Sequence, residues 1–306
     1  MKRMHEVMIV SRQQARYEDL LHQAQLPDLV LTRDPQRASI ILADPPAIIA
    51  QLSQFPRLRW LQSTYAGVDA LMRDDLRQDY TLTNVRGCFG QLIAEYVFGL
   101  LLDNTRHFST YHQQQQSALW QAQPYRTIAG QCMVILGTGS IGSHVARVAQ
   151  AFGLRVIGVN RSGMTTEPAF TQCYAIDALP EALAQANVVV SVLPATSATH
   201  HLLNADSLAH CQNAMLFNVG RGNAVCEQGL LQAIKQGHIR HAYLDVFQQE
   251  PLPSSHPFWR HPQISVTPHI AAESFPEQVM TIFADNYRRW HQDEPLQYQV
   301  DFGRGY

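Results

Sequence analysis

Apolar residues fall in short, dense runs along most of the chain, and the stretches between them are amphipathic with helical spacing. Val7-Met8-Ile9-Val10, Leu29-Val30-Leu31, Ile40-Ile41-Leu42 and Leu58-Arg59-Trp60-Leu61 are predicted strands. Gln13 to His22 and Ala47 to Phe55 are predicted helices, with Pro45-Pro46 suited to a helix start. A long helical pattern runs from about Gln91 through Leu102 and on toward Leu119. A second alternating series begins at Cys132. Its predicted strands are Met133 to Leu136, Arg155 to Val159, Val188 to Leu193, Ala214 to Asn218, His241 to Val246 and Gln263 to Val266. Helices over Ile141 to Phe152, Leu179 to Gln185 and Gly229 to Gln236 fill the gaps, and a tail helix covers Pro276 to Gln292. Strand–helix alternation of this kind predicts α/β architecture, with parallel sheets covered on both faces and one domain inserted in another.

Composition narrows the classes. At 306 residues, 46% of them hydrophobic and 16% charged, the chain can build the cores of two domains. A formal net charge of −2 and the lack of a Lys/Arg run argue against nucleic acid or an anionic membrane as partner. Cys88, Cys132, Cys173, Cys211 and Cys226 are odd in number and nowhere spaced as CxxC, so reduced thiols are expected, with neither a disulfide framework nor a metal site. Met1-Lys2-Arg3 is basic, but the run Val7 to Val10 is too short for a signal segment, and a cytoplasmic location is expected.

Gly137-Thr138-Gly139-Ser140-Ile141-Gly142 is a GxGxxG directly after a predicted strand and directly before a helix. The first glycine permits a tight turn, the second lets backbone approach a pyrophosphate, and the third lets helix pack on strand. The helix start around Ser140 and Ile141 offers N–H groups to phosphate. The next strand ends in Asn160-Arg161-Ser162-Gly163, with no acid before Glu167. A carboxylate there would hold a ribose hydroxyl and repel a 2′-phosphate, whereas Arg161 and Ser162 can bind one. NADP(H) is therefore the expected cofactor, with NAD as a possible substitute.

Three further segments follow predicted strands. Asn218-Val219-Gly220-Arg221-Gly222 carries a guanidinium suited to a carboxylate. Leu244-Asp245-Val246-Phe247-Gln248-Gln249-Glu250-Pro251 ends in an acid, and Thr267-Pro268-His269-Ile270-Ala271 carries an imidazole that titrates near neutrality.

GxGxxG, NVGRG, LDVFQQEP and TPHIAA in this order resemble the D-isomer-specific 2-hydroxyacid dehydrogenases over nearly the whole chain, and the short form looks most like a glyoxylate/hydroxypyruvate reductase. The resemblance implies that Arg221 binds substrate, that His269 is the general acid–base, and that Glu250 hydrogen-bonds it. It places Asp245 near the nicotinamide carboxamide, Leu193, Pro194, Thr196 and Val219 on the cofactor, and the backbone of Ala66, Gly67 and Val68 on the substrate carboxylate. It also implies two doubly wound domains: a Rossmann-type cofactor domain at 97–274, inserted in a flavodoxin-like substrate domain of 1–96 and 275–306. A homodimer through the cofactor domains is expected from the resemblance and from the apolar side chains between Gln91 and Leu119. Departures set the subtype. The missing acid after the second cofactor-domain strand speaks against the NAD-preferring D-lactate and phosphoglycerate branches, and the expected lack of a regulatory domain beyond the tail helix against the latter. Glu250 stands where formate dehydrogenases carry Gln. The activity expected is NADPH-dependent reduction of small 2-keto acids; a bulkier keto acid, or a dinucleotide-sensing scaffold of the same fold, is the alternative.

Overall fold

The computed structural model describes residues 4–304, so the basic Met1-Lys2-Arg3 lies outside the described residues. The chain divides into two units, Met1–Cys88 with Ser274–Tyr306, and Phe89–Glu273.

The first unit is built on five parallel strands: β1 (His5–Val10), β2 (Leu29–Leu31), β3 (Ile40–Ala43), β4 (Trp60–Ser63) and β5 (Thr81–Thr83), in the order β2-β1-β3-β4-β5. Every residue of β3 and β4 is buried, as a parallel sheet with both faces covered requires. The helices Gln14–Ala24 and Pro276–His291 pack together, and Phe283 of the second stacks on Trp60 at 5.2 Å between ring centroids. One cluster of buried polar side chains here is paired, since an unpaired group would lose its hydration without return. Trp60 Nε1 donates to Thr83 Oγ1 at 2.8 Å, Thr83 Oγ1 donates to Gln62 Oε1 at 2.8 Å, and Asn286 Nδ2 donates to the same Gln62 oxygen at 3.3 Å.

The second unit has seven parallel strands: β6 (Cys132–Leu136), β7 (Arg155–Asn160), β8 (Gln172–Ala175), β9 (Val188–Ser191), β10 (Ala214–Asn218), β11 (Ile239–Leu244) and β12 (Ile264–Val266). Their order is β12-β11-β10-β9-β6-β7-β8. From β6 the chain winds outward through β7 and β8, then returns to β9 and winds the other way. The reversal between β6 and β9 is the point where doubly wound sheets open a crevice at the carboxyl ends of the strands. Strand alternation divides the core: Val134 and Leu136 join the cluster on one face, Met133 and Ile135 the cluster on the other.

Several expectations need correction. The long helix is two, Phe89–Arg106 and Phe108–Gln116, broken at His107, whose φ of 59° is left-handed. The first unit boundary falls at 88/89 instead of 96/97, because the first of these helices belongs entirely to the second unit: Ile93, Val97, Phe98 and Leu101 are buried in its core. The apolar surface counted toward a dimer is thus largely used within the unit. The strands β5 and β8, each short and partly polar, were not expected.

Candidate active site

The glycine fingerprint forms the turn between β6 and the helix Ser140–Ala151, at the reversal point. Gly137 has φ +101°, a conformation other residues avoid. A Cβ on Gly142 would lie 1.9 Å from the Gly137 carbonyl oxygen, so only glycine lets the helix sit this close. At Gly139 a Cβ would meet nothing within 4 Å, leaving open space over the helix N-terminus, where Ser140 is exposed and Ile141 half-buried. Open approach plus a helix N-terminus is a cradle that fits a pyrophosphate.

Asn160 ends β7 and organises the loop that follows. Its Nδ2 donates to Thr138 Oγ1 and to the Met164 carbonyl, both at 2.7 Å, and its Oδ1 accepts from the N–H groups of Ser162 at 2.9 Å and Gly163 at 2.7 Å. The Asn160 side chain is thereby committed to the loop, and Arg161 and Ser162 are exposed on it, as is Met164. The first acid beyond, Glu167, is held by Arg147 of the fingerprint helix at 2.5 Å. Across the reversal point, Leu193 is buried, Pro194 and Thr196 are half-buried, and Thr196 and Thr199 form a reciprocal capping box.

At the ends of β10, β11 and β12 the chemistry-bearing side chains converge. Asn218 is fully buried; its Nδ2 donates to the Arg221 carbonyl at 3.0 Å and shapes the turn that carries Val219 and Arg221. A Cβ on Gly220 would meet the Leu193 backbone at 2.5 Å, and one on Gly222 the Phe247 carbonyl carbon at 1.9 Å, so both glycines let loops from neighbouring strands touch. Arg221 Nη1 donates to the Gly220 carbonyl at 2.8 Å. Glu250 accepts from the Phe247 N–H at 2.9 Å with one oxygen and bonds His269 Nδ1 at 2.8 Å with the other. A carboxylate only accepts, so Nδ1 carries the hydrogen and Nε2 is left for chemistry.

The charges in this cluster are coupled. The Glu250 hydrogen bond raises the His269 pKa above its ordinary value, against burial and the Arg221 charge, with help from Asp245. Burial pushes the Glu250 carboxyl up, yet the hydrogen bonds from His269 and Phe247 and the Arg221 charge outweigh it, so its pKa lies below the usual value.

His269 itself has φ 55°, a left-handed conformation that costs a non-glycine residue on the order of 1 kcal/mol. Asp245, 1% exposed, holds it there. The Asp245 carbonyl accepts the His269 N–H at 2.9 Å. Its carboxylate accepts Thr267 Oγ1 at 2.6 Å and the N–H groups of Ile270 and Ala271 at 2.9 Å each. Both carboxylate oxygens of Asp245, expected at a carboxamide, are thus engaged by the loop that carries the histidine. Sequence reasoning missed Thr138, Thr267 and Tyr96, whose hydroxyl lies 2.6 Å from Thr267 Oγ1. Thr267 stands in the TPH segment and was open to notice; nothing local marks Tyr96. The remaining expected residues, Ala66, Gly67 and Val68, lie in the first unit between β4 and a short turn of helix at Asp69–Leu71, with Val68 in the core.

Residues 98–271 match the family described as D-isomer specific 2-hydroxyacid dehydrogenase, NAD binding domain. The glyoxylate/hydroxypyruvate reductase A of Salmonella newport (strain SL254) is 34% identical over 218 residues, 71% of this chain and 70% of that protein. Among solved structures, a D-isomer specific 2-hydroxyacid dehydrogenase family protein from Aeromonas salmonicida superposes with a TM-score of 0.92 at 46% identity, covering 98% of this chain and 99% of that one. A D-isomer specific 2-hydroxyacid dehydrogenase from Xanthobacter autotrophicus Py2, in complex with NADPH and MES, does so at 0.88 and 32% identity, covering 99% and 100%.

The fingerprint geometry separates two glycine substitutions. Gly142→Ala should disrupt the turn, lowering Tm and weakening dinucleotide binding together. Gly139→Ala should leave Tm near wild type and weaken binding alone. Thermal unfolding and dinucleotide fluorescence titration read the two effects; a Gly142→Ala protein with wild-type Tm and affinity would contradict the packing described.

Proposed function

The chain belongs to the D-isomer specific 2-hydroxyacid dehydrogenase family, and on that premise we propose that it reduces small 2-keto acids, glyoxylate and hydroxypyruvate among them, with NADPH. It is an NAD(P)-dependent oxidoreductase with a two-domain α/β fold. The observation that carries the finer reading is the His269–Glu250 pair at 2.8 Å, beside Arg221 at the carboxyl edge of the dinucleotide sheet.

A nicotinamide bound there would supply hydride to the keto carbon. His269 Nε2 donates the proton that the carbonyl oxygen needs as that hydride arrives, and Glu250 keeps the imidazole oriented and charged. Arg221 pairs with the substrate carboxylate through its planar fork. The N–H groups of Ala66, Gly67 and Val68 are proposed as carboxylate donors in the first unit. Fingerprint residues Gly137, Gly139, Ser140, Ile141 and Gly142 would hold the pyrophosphate, with Leu193, Pro194, Thr196 and Val219 along the cofactor.

NADPH preference is supported by the loop after β7: Arg161 and Ser162 are exposed there, and Glu167 is tied to Arg147. The Xanthobacter structure, bound to NADPH, is consistent with that choice. A second copy of the chain is the proposed partner, with Phe108, Leu119 and Trp120 as the exposed apolar side chains it would cover. No helix among the described residues is long and apolar enough to cross a membrane.

Reduction consumes a proton from His269, so its rate should hold at low pH and fall as pH rises through an imidazole pKa above the ordinary value. Glu250→Gln removes the largest cause of the raised pKa and should move that fall to lower pH. His269→Gln should cut kcat by about 10²-fold or more with dinucleotide affinity preserved. Steady-state assays of keto acids against pH test this; an unshifted profile in Glu250→Gln removes the coupling from the mechanism.

Arg161→Ala should lower the kcat/KM ratio of NADPH over NADH by about 10-fold or more, as expected for one charge-assisted phosphate contact. Equal use of both cofactors by the wild type would overturn the NADP assignment and leave the dehydrogenase assignment standing. Sedimentation should give twice the 34.5 kDa chain mass, and a single species at the chain mass would rule out the dimer.

A further inference from the structure

We propose that Tyr96 is a positioning residue for His269, acting through a hydroxyl relay, Tyr96 to Thr267 to Asp245. The inference rests on the reading of His269 as proton donor and adds a residue that no motif contains.

The direction of the relay follows from hydrogen counting. Thr267 Oγ1 carries one hydrogen, and Asp245 Oδ1 at 2.6 Å is a carboxylate oxygen that only accepts. Thr267 therefore spends its hydrogen on Asp245 and must accept at its other side. Tyr96 Oη, 2.6 Å from Thr267 Oγ1, is the donor. Burial pushes the Tyr96 phenol up to about 12, so near neutral pH it keeps the proton it donates. Tyr96 lies on the helix Phe89–Arg106, whose neighbouring turns are buried in the core of the second unit through Ile93, Val97 and Leu101. The relay thus ties the residue at the start of the His269 loop to a rigid element.

Holding that loop matters because His269 is held uphill. Its backbone is left-handed at φ 55°, and its imidazole must meet Glu250 within a hydrogen bond. Thr267, Ile270 and Ala271 are the anchors on the Asp245 carboxylate. If Tyr96 loses its hydroxyl, Thr267 Oγ1 still donates to Asp245 but keeps an unfilled acceptor in a partly buried place and loses its tie to the helix. The loop start loosens, and the imidazole spends less time on Glu250. The charged groups that face His269 are Glu250 and Asp245 from the segment after β11 and Arg221 from the segment after β10, and none of them is altered by changing Tyr96.

The test compares Tyr96→Phe, Thr267→Val and Thr267→Ser with wild type. The His269 imidazole titration is followed by NMR, its signal assigned by difference from His269→Gln. In Tyr96→Phe and Thr267→Val the imidazole pKa should fall toward its ordinary value, kcat for glyoxylate should drop by about 10-fold, and the alkaline fall of the rate should move to lower pH. Dinucleotide Kd should stay unchanged. Thr267→Ser keeps the hydroxyl and should restore all three. Unchanged imidazole titration in both Tyr96→Phe and Thr267→Val overturns the relay, whatever happens to Tm. The NMR measurement needs no turnover. A shifted imidazole in a protein that reduces no keto acid would sink the functional reading and leave the relay standing, whereas normal turnover with an unshifted imidazole would do the reverse.

Discussion

One buried carboxylate governs the geometry of the candidate active site. Asp245 sits at the end of β11 with its side chain out of water, which would be costly for a charge with no partners. It is matched by the loop after β12, which turns two backbone N–H groups and a hydroxyl onto it and bends through a left-handed histidine in doing so. Each side needs the other. The acid is desolvated only because the loop wraps it, and the loop adopts its strained turn only because the acid rewards that turn with charge-assisted hydrogen bonds. A histidine fixed in this way can face Glu250 without relying on its own conformational preference.

The parallel sheet supplies the rest by geometry. Its strands all end on the same edge, so segments far apart in sequence arrive side by side there, and glycines decide how near they come. Gly142 seats the fingerprint helix against its own turn, Gly220 lets the Arg221 loop lie on the Leu193 backbone, and Gly222 lets it meet Phe247. At each of the three a methyl group would collide with backbone, which cannot move aside as a flexible side chain can. Close contact between loops, more than any single side chain, is what places a guanidinium, a carboxylate and an imidazole in one electrostatic neighbourhood.

How much of this was legible in the sequence follows from how local each signal is. Runs such as Met133 to Leu136 and Val188 to Ser191 announce buried strands, since a strand covered on both faces is apolar at every position. Motifs that combine a strand end with a chemistry-bearing residue, as in NVGRG and TPHIAA, announce Arg221 and His269. Edge and short strands are quieter: Gln172-Cys173-Tyr174-Ala175 pairs on one side only and carries no clear period. The break at His107 has neither glycine nor proline to mark it. Asp245 was placed correctly on its strand end, but its partners were not foreseeable, because they depend on how a loop after the next strand folds back. Tyr96 is the extreme case. It meets Thr267 across 171 residues of sequence, and in a helix rich in apolar residues a tyrosine reads as one more core side chain.

The discontinuous first unit has a consequence for how the protein is made. Trp60 on β4 stacks against Phe283, and the buried Gln62 completes its hydrogen bonds with Asn286, both on the helix Pro276–His291. A ribosome releases β1 to β5 first and that helix nearly two hundred residues later, at about 5–20 residues per second. The inserted unit, contiguous from Phe89 to Glu273, has all its strands in hand before the outer one receives its last helix. For about ten seconds or more at that rate, the earliest-made sheet carries an apolar face whose covering helix has yet to be made. The strands synthesised first are the last to be protected, and that face is where a nascent chain of this protein is most exposed to chaperones and to aggregation.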